Sequence, residues 1–212
     1  MEKQEIRTFG RRHGKKLSAR QTKLIECVLP RLSPMGLADG GKNILEIGFG
    51  AGEHLRELAC ANPDATVIGA EPFMNGVASL MSAITDENDN VRSEYKNIRI
   101  WPDDVRDFLR GTELKFSEIW ILHPDPWPKA KHEKRRLLHA EFLELMGKYL
   151  APGGRIIIGT DHWEYFDWIK EQVTQTALCA SEPGLETIQT RYQIKNKAAT
   201  IAPKYLVLAN NN

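Results

Sequence analysis

Four carboxylates recur at the ends of short β-rich runs, the positions where an open parallel sheet offers side chains to a ligand: Glu46, Glu71, Asp104 and Asp125. The first stands inside Leu45-Glu46-Ile47-Gly48-Phe49-Gly50-Ala51-Gly52, where three glycines alternate directly after an apolar run and just before a helix-length segment. A strand-to-helix turn must bend sharply and let a ligand approach the backbone, which a Cβ would obstruct. The spacing is G-x-G-x-G, not the G-x-G-x-x-G that sets a dinucleotide pyrophosphate on a helix N-terminus. Glu46, two residues before Gly48, would repel a pyrophosphate but attract the cationic amino-acid end of S-adenosylmethionine. Glu71 ends the second run, 23 residues beyond Gly48, where a carboxylate can accept from two ribose hydroxyls. Asp103 and Asp104 follow the third, placed to meet an adenine edge. The plain alternative is a tight turn flanked by solvated carboxylates.

The fourth run, Glu118 to Leu122, enters His123-Pro124-Asp125-Pro126-Trp127-Pro128-Lys129. Prolines on both sides of Asp125 and after Trp127 leave the backbone few options, so a carboxylate and an indole are held in set directions. One fixed acid and one fixed aromatic suit a pocket for a nucleobase. The segment is similar to the D-P-P-Y/W loop of methyltransferases that act on exocyclic amino groups, except that Asp125 interrupts the proline pair. Lys129, Lys131, Lys134, Arg135 and Arg136 come immediately after, which would put cations at the rim of the same pocket to meet phosphates.

Positioning these residues requires alternating strands and helices. Strands are predicted at Asn43 to Ile47, Thr66 to Ala70, Asn97 to Trp101, Glu118 to Leu122 and Arg155 to Gly159, the pattern of a parallel sheet with crossover helices. Helices are predicted at Ser18 to Val28, Glu53 to Cys60, Phe73 to Thr85, Asp104 to Arg110, Lys134 to Leu150 and Trp163 to Ala180. Pro152, Gly153 and Gly154 should stop the fifth of these and turn it into the next strand. Segments near Glu186 to Thr190 and Tyr205 to Leu208 would close the sheet. Residues 1–40, a basic arm and one helix, are expected to precede a single domain over 41–212.

Hydrophobic residues make up 42% of the 212, enough for one substantial core. No apolar stretch reaches the roughly 18 residues of a membrane span, and the charged N-terminal residues do not read as a signal peptide. Cys27, Cys60 and Cys179 are too scattered for a disulfide framework or a zinc site, so a reducing, cytoplasmic setting is expected. The net charge of +1 conceals a sorting: residues 1–23 carry +6, 129–136 carry +4 and 190–204 carry +4, leaving about −13 elsewhere. Three basic segments on an acidic body suit a polyanionic partner, although each alone could be an ordinary solvated face.

Gly10-Arg11-Arg12-His13-Gly14-Lys15, the glycine loop, the His123 to Lys129 loop with Lys134-Arg135-Arg136, Gly159-Thr160-Asp161 and Thr190-Arg191-Tyr192-Gln193 occur in order along most of the chain. Together they resemble the bacterial tRNA (guanine-N7-)-methyltransferase family. The resemblance implies an α/β, Rossmann-like class I methyltransferase fold with a seven-stranded, mostly parallel sheet and a basic N-terminal extension. It implies S-adenosylmethionine as cofactor, held by Glu46, Gly48, Gly50, Gly52, Glu71, Asp104 and Asp125, with Asp125 as the catalytic or cofactor-side acid. It further implies that Lys129, Asp161, Thr190, Arg191, Tyr192 and Gln193 meet a tRNA whose target is guanine 46 of the variable loop. One departure stands out: the family usually reads T-x-[FY]-E where this chain has Gln193, which puts an electrostatic role there in doubt.

The six histidines lie on different elements without ligand spacing, so no metal site is expected. Trp163 and Trp168 are read as packing residues. Two readings from other classes stay open: an NAD-dependent oxidoreductase, disfavoured by Glu46 and the glycine spacing, and a non-catalytic RNA-binding module. Another class I methyltransferase acting on RNA or a small molecule also fits, and the oligomeric state, monomer or homodimer, is not legible.

Overall fold

The computed structural model describes residue 10, residues 12–183 and residues 202–211. Within them the strands are β1 (Asn43–Ile47), β2 (Thr66–Ala70), β3 (Ile98–Trp101), β4 (Phe116–Leu122), β5 (Leu150–Thr160), β6 (Leu178–Ser181) and β7 (Lys204–Asn210). Every residue of β1 is buried, as a central strand covered on both faces requires. The strands form one sheet in the order β3-β2-β1-β4-β5-β7-β6. The first five are parallel, while β7 inserts antiparallel between β5 and β6. Strand order reverses between β1 and β4, and such a switch point opens a crevice at the strands' carboxyl ends.

Helices α1 (Ala19–Cys27), α2 (Glu53–Ala61), α3 (Met74–Ile84), α4 (Val105–Arg110), α5 (Ala140–Lys148) and α6 (Trp163–Val173) flank the sheet. One core layer joins α1, α2 and α3 to the sheet through Leu24, Leu55, Val77 and Leu80. The other joins α4, α5 and α6 through Phe108, Phe142, Tyr165 and Trp168. Ser18 starts α1 with a reciprocal capping box: its hydroxyl accepts from Gln21 N–H and the Gln21 side chain accepts from Ser18 N–H. A 3-10 turn over Leu29–Leu32 then buries Leu29 and Leu32 in the same layer as α3.

Strands β1 and β2 coincide with the expected bounds, but four expectations are corrected. The helix expected over Lys134 to Leu150 is a 3-10 turn (Ala130–Arg135), an extended link and α5. Arg136 is extended (φ −60°, ψ 140°) and turns its guanidinium inward, so Leu138 reaches the core from a link rather than a helix face. The helix expected over Trp163 to Ala180 ends at Val173, because the Thr174 and Thr176 hydroxyls donate to the carbonyls of Glu171 and Val173 and divert the backbone into a turn. The residues beyond form β6. Trp163, expected to pack, is 56% exposed, whereas Trp168 on the same helix is buried. Pro152 and Gly153 do not precede β5 but lie within it, where the β4 register shifts between Phe116 and Glu118. The segment Glu186 to Thr190 lies outside the described residues.

Candidate active site at the carboxyl ends of the strands

The turn after β1 is built from glycines in the left-handed region: Gly48 at φ 75°, Gly50 at φ 55° and Gly52 at φ 76°. Any other L-residue there would cost about 1–2 kcal/mol, which explains the alternation. A Cβ on Gly48 or Gly50 would meet nothing within 4 Å, so backbone conformation and not crowding demands glycine at both. Gly76, in the first turn of α3, matters for the opposite reason, since its Cβ would run into the Gly50 carbonyl.

Glu71 ties this loop to the end of β2. One carboxylate oxygen accepts from Gly50 N–H and the other from Phe73 N–H, each at 2.8 Å. Burial pushes the Glu71 carboxyl up; the two N–H groups pull it back in part, and the nearby charges of Glu46 and Asp125 push it further up. A carboxylate accepts about four hydrogen bonds, so capacity remains for a ligand after these two.

At the end of β3, Asp104 caps α4 by accepting from Arg106 N–H, and the Arg106 guanidinium forks onto the same carboxylate. Burial pushes the Asp104 carboxyl up, but the bonds and charge of Arg106 outweigh it and hold the group below the usual range. Its neighbour Asp103 accepts from Arg12 at 2.8 Å. The same N-terminal stretch docks on α3: Met74 N–H donates to Arg12 O, Gly14 N–H to Asn75 Oδ1, and the Asn75 amide to Lys15 O.

Beyond β4 the chain passes through two strained residues, His123 at φ 49° and Trp127 at φ 41°, on either side of Pro124-Asp125-Pro126. Left-handed non-glycine residues persist only where surroundings over-determine them. His123 N–H donates to Gly159 O at 2.7 Å. Arg136 Nε donates to Pro126 O at 2.9 Å, and its guanidinium lies over the Trp168 and Tyr165 rings at 4.8 and 5.4 Å. Arg135 covers Trp127 at 5.0 Å. Asp125, so framed, is exposed, and no described residue bonds to it. His123 Nδ1 lies 3.7 Å from Asp161 Oδ1; burial lowers the imidazole pKa, and Asp161 opposes the shift.

These strand ends enclose a cavity of about 430 Å³ whose lining includes Gly48, Glu71, Phe73, Asp104, Asp125 and Trp127. That volume lies in the range of small-molecule sites.

A family described as "Putative methyltransferase" matches residues 41–203. A tRNA (guanine-N(7)-)-methyltransferase of Granulibacter bethesdensis is 36% identical over 97% of this chain and 95% of its own. Its counterpart in Caulobacter vibrioides is 34% identical over 95% of this chain and 93% of its own. The chain belongs to the tRNA (guanine-N7-)-methyltransferase family. Among solved structures, an rRNA methylase from Streptococcus thermophilus superposes with a TM-score of 0.54 at 15% identity, covering 91% of this chain and 95% of that one. A 16S rRNA methyltransferase superposes at 0.52 and 13% identity, covering 93% and 96%. These two likenesses establish the class I methyltransferase fold.

In this methyltransferase the strand-end residues Gly48, Glu71, Asp104 and Asp125 come together on one cavity, as the sequence pattern required. Glu46 does not line it. Strand alternation turns Glu46, next to the lining Ile47, toward α2, where its Oε2 lies 3.3 Å from His54 Nδ1 and only 2% of the residue is exposed. Gly50 and Gly52 shape the loop from outside the lining. Lys129 is exposed where the 3-10 turn begins, and Asp161 adjoins the lining through His123. Thr190, Arg191, Tyr192 and Gln193 lie outside the described residues. Arg136, grouped by sequence with the phosphate-facing cations, is instead buried. Sequence reasoning missed Arg106 and Arg136 as clamps; the signal for Arg106 was its place two residues after a helix-capping Asp.

Proposed function

We propose that this chain transfers a methyl group from S-adenosylmethionine to N7 of guanine in tRNA, with guanine 46 of the variable loop as its target. The observation that carries this is the convergence of Glu71, Asp104 and Asp125 on one cavity, with the exposed Lys129, Lys131 and Lys134 following directly in the chain. Relatives named for that reaction, matching nearly end to end, support it.

The residues present fit the cofactor: the glycine loop keeps space at Gly48 that a Cβ would fill, and Glu71 has acceptor capacity left for ribose hydroxyls. When bound, S-adenosylmethionine supplies an electrophilic methyl group on a sulfonium. Glu71 would hold the ribose, Asp104 the adenine edge, and the glycine loop the amino-acid end. Glu46, beneath that loop, would act on the cationic end through its charge rather than by direct contact.

Guanine N7 carries an in-plane lone pair and no proton, so no residue has to strip a proton before the new N–C bond forms and the S–C bond breaks. Catalysis is then alignment and charge handling. Positive charge leaves sulfur and develops on the purine, and the Asp125 carboxylate, fixed by two prolines and the Arg136 bond, favours that change or grips the base by its N–H edge. The first role needs the charge, and the second needs both carboxylate oxygens as acceptors. Lys129, Asp161 and the segment from Thr190 to Gln193 would hold the tRNA, and a tRNA substrate puts the activity in the cytoplasm. No helix among the described residues is long and apolar enough to cross a membrane.

The deciding experiment uses the chemistry of the product. Methylation at N7 makes C8 electrophilic, so borohydride reduction followed by aniline should break the treated tRNA at one variable-loop guanine. The break should vanish without S-adenosylmethionine. Methyl incorporation without cleavage would refute the N7 reading.

A further inference from the structure

A second recess lies away from the reaction cavity, at the amino end of the edge strand β3. It has a volume of about 320 Å³ and is lined by Val28, Arg31 and Leu32 from the 3-10 turn after α1, Asn90 and Val91 after α3, and Lys96 and Arg99 at the entry to β3. Three of these residues are cationic and none is acidic.

Of the acids nearby, Glu94, two residues before Lys96, is exposed, with the Ser93 hydroxyl on it at 3.4 Å, and Asp86 and Asp89 of the preceding turn are engaged elsewhere. Asp89 pairs with Arg20 and Lys23, and the Asp86 carboxylate accepts from the N–H groups of Asn88 and Asn90. Among the described residues no carboxylate pairs with Arg31, Lys96 or Arg99. Three like charges around one recess repel one another, a cost that an anion would relieve. Arg99 is also held in place: its Nη1 donates to Lys96 O at 2.9 Å and to Ile98 O at 2.8 Å, leaving its other N–H groups for a ligand. Val28 and Leu32 are buried and Val91 half-buried, which gives the recess an apolar floor and strengthens charge interactions above it.

We propose that this recess is a second phosphate site, seating a backbone phosphate of the RNA at a distance from the reacting base. The inference rests on the tRNA reading and extends it: the RNA footprint would continue from the carboxyl ends of the strands around the β3 edge to their amino ends. The recess would carry part of the affinity and none of the chemistry.

The test compares wild type with the double variant Arg31→Ala/Lys96→Ala, both positions being exposed. Affinity for unmodified tRNA is measured against salt, alongside S-adenosylmethionine affinity and turnover at saturating tRNA. The expected result is a log-log salt slope shallower by roughly 0.7 to 0.9, for the one lost phosphate, with the other two quantities unchanged. The charge-preserving pair Arg31→Lys/Lys96→Arg should keep the wild-type slope, which separates charge from packing. In a second arm inorganic phosphate is titrated and the melting temperature read. A phosphate-dependent rise in wild type alone, with tRNA slopes equal, would assign the recess to free phosphate and overturn the RNA seat. Equal slopes and no phosphate effect would overturn the site altogether. Failure of wild type to methylate tRNA at N7 would instead strike the functional reading, and the phosphate arm would still report on the recess.

Discussion

Arg136 holds Pro126: its Nε donates to the proline carbonyl at 2.9 Å while its guanidinium rests on Trp168 and Tyr165. The proline loop that presents Asp125 is thereby fastened to α6 through one buried cation. Lysine cannot supply both the planar stack and the directed N–H. Arg136→Lys should therefore destabilise the protein by about 1.5–3 kcal/mol, the worth of a charged hydrogen bond, and lower turnover with it. Urea melts and steady-state rates check this; a variant that matches wild type in both would remove the clamp from the account.

Asp125 has no described partner to support, so its replacement should spare the fold. Asp125→Asn is expected to keep cofactor binding and lose turnover on the order of a hundredfold, as when a preorganised group is removed from developing charge. Single-turnover rates with enzyme in excess over tRNA read the chemical step directly, and parent-like rates would sink the assignment.

Glu71 serves two purposes, and its removal should show both. Glu71→Ala should weaken S-adenosylmethionine by about 1.5–3 kcal/mol while leaving tRNA affinity nearly unchanged. The same variant strips the acceptors from Gly50 and Phe73 N–H, so its melting temperature should fall as well. Calorimetry with each ligand separates these effects; weakened tRNA with intact cofactor binding would contradict the placement of the ribose.

The two tryptophans of α6 should behave oppositely. Trp163→Ala, on an exposed side chain, should change stability by no more than about 0.5 kcal/mol. Trp168→Ala removes a buried ring that carries Arg136 and should cost about 3–5 kcal/mol. Denaturant midpoints decide between this contrast and the shared packing role that the sequence suggested.

His123 gives the fold a dependence on acid. Its folded pKa is lowered by burial from an ordinary value near 6.5, so the unfolded chain binds its proton first. The contribution is complete above that value and is lost as pH falls through the folded pKa. Asparagine does not titrate there and tolerates the left-handed backbone of this position. Below pH 6.5 wild type should lose stability more steeply than His123→Asn, by at most about 1.4 kcal/mol per pH unit; parallel curves would show that His123 titrates alike in both states.

Much of the site was legible because strand ends in a parallel sheet converge by geometry. Once β1, β2, β3 and β4 were recognised from β-rich runs, Glu71, Asp104 and Asp125 had to face one crevice. Glu46 escaped that logic, since a slip of one position along a strand reverses the face, and the glycine after it gives no hint of where the strand's pleat ends. Arg136 escaped too. A run of Lys and Arg reads as solvated charge, and only the three-dimensional meeting of a carbonyl with two rings shows that one member points inward. The early end of α6 turned on hydroxyl-to-carbonyl bonds of Thr174 and Thr176, local competition that an apolar periodicity does not register.

The insertion of β7 between β5 and β6 also orders events at the ribosome. Residues Arg155–Thr160 of β5 pair on one edge with Lys204–Ala209 of β7, and among the described residues β6, made earlier, pairs with β7 alone. Until β7 docks, the Arg155–Thr160 part of β5, paired with β4 on one side, leaves its other edge open, the kind of edge that recruits other chains. A polypeptide stalled or clipped before Lys204 would keep that edge open, so quality control by proteolysis should weigh more heavily on C-terminally shortened forms of this protein than on forms lacking residues at the other end.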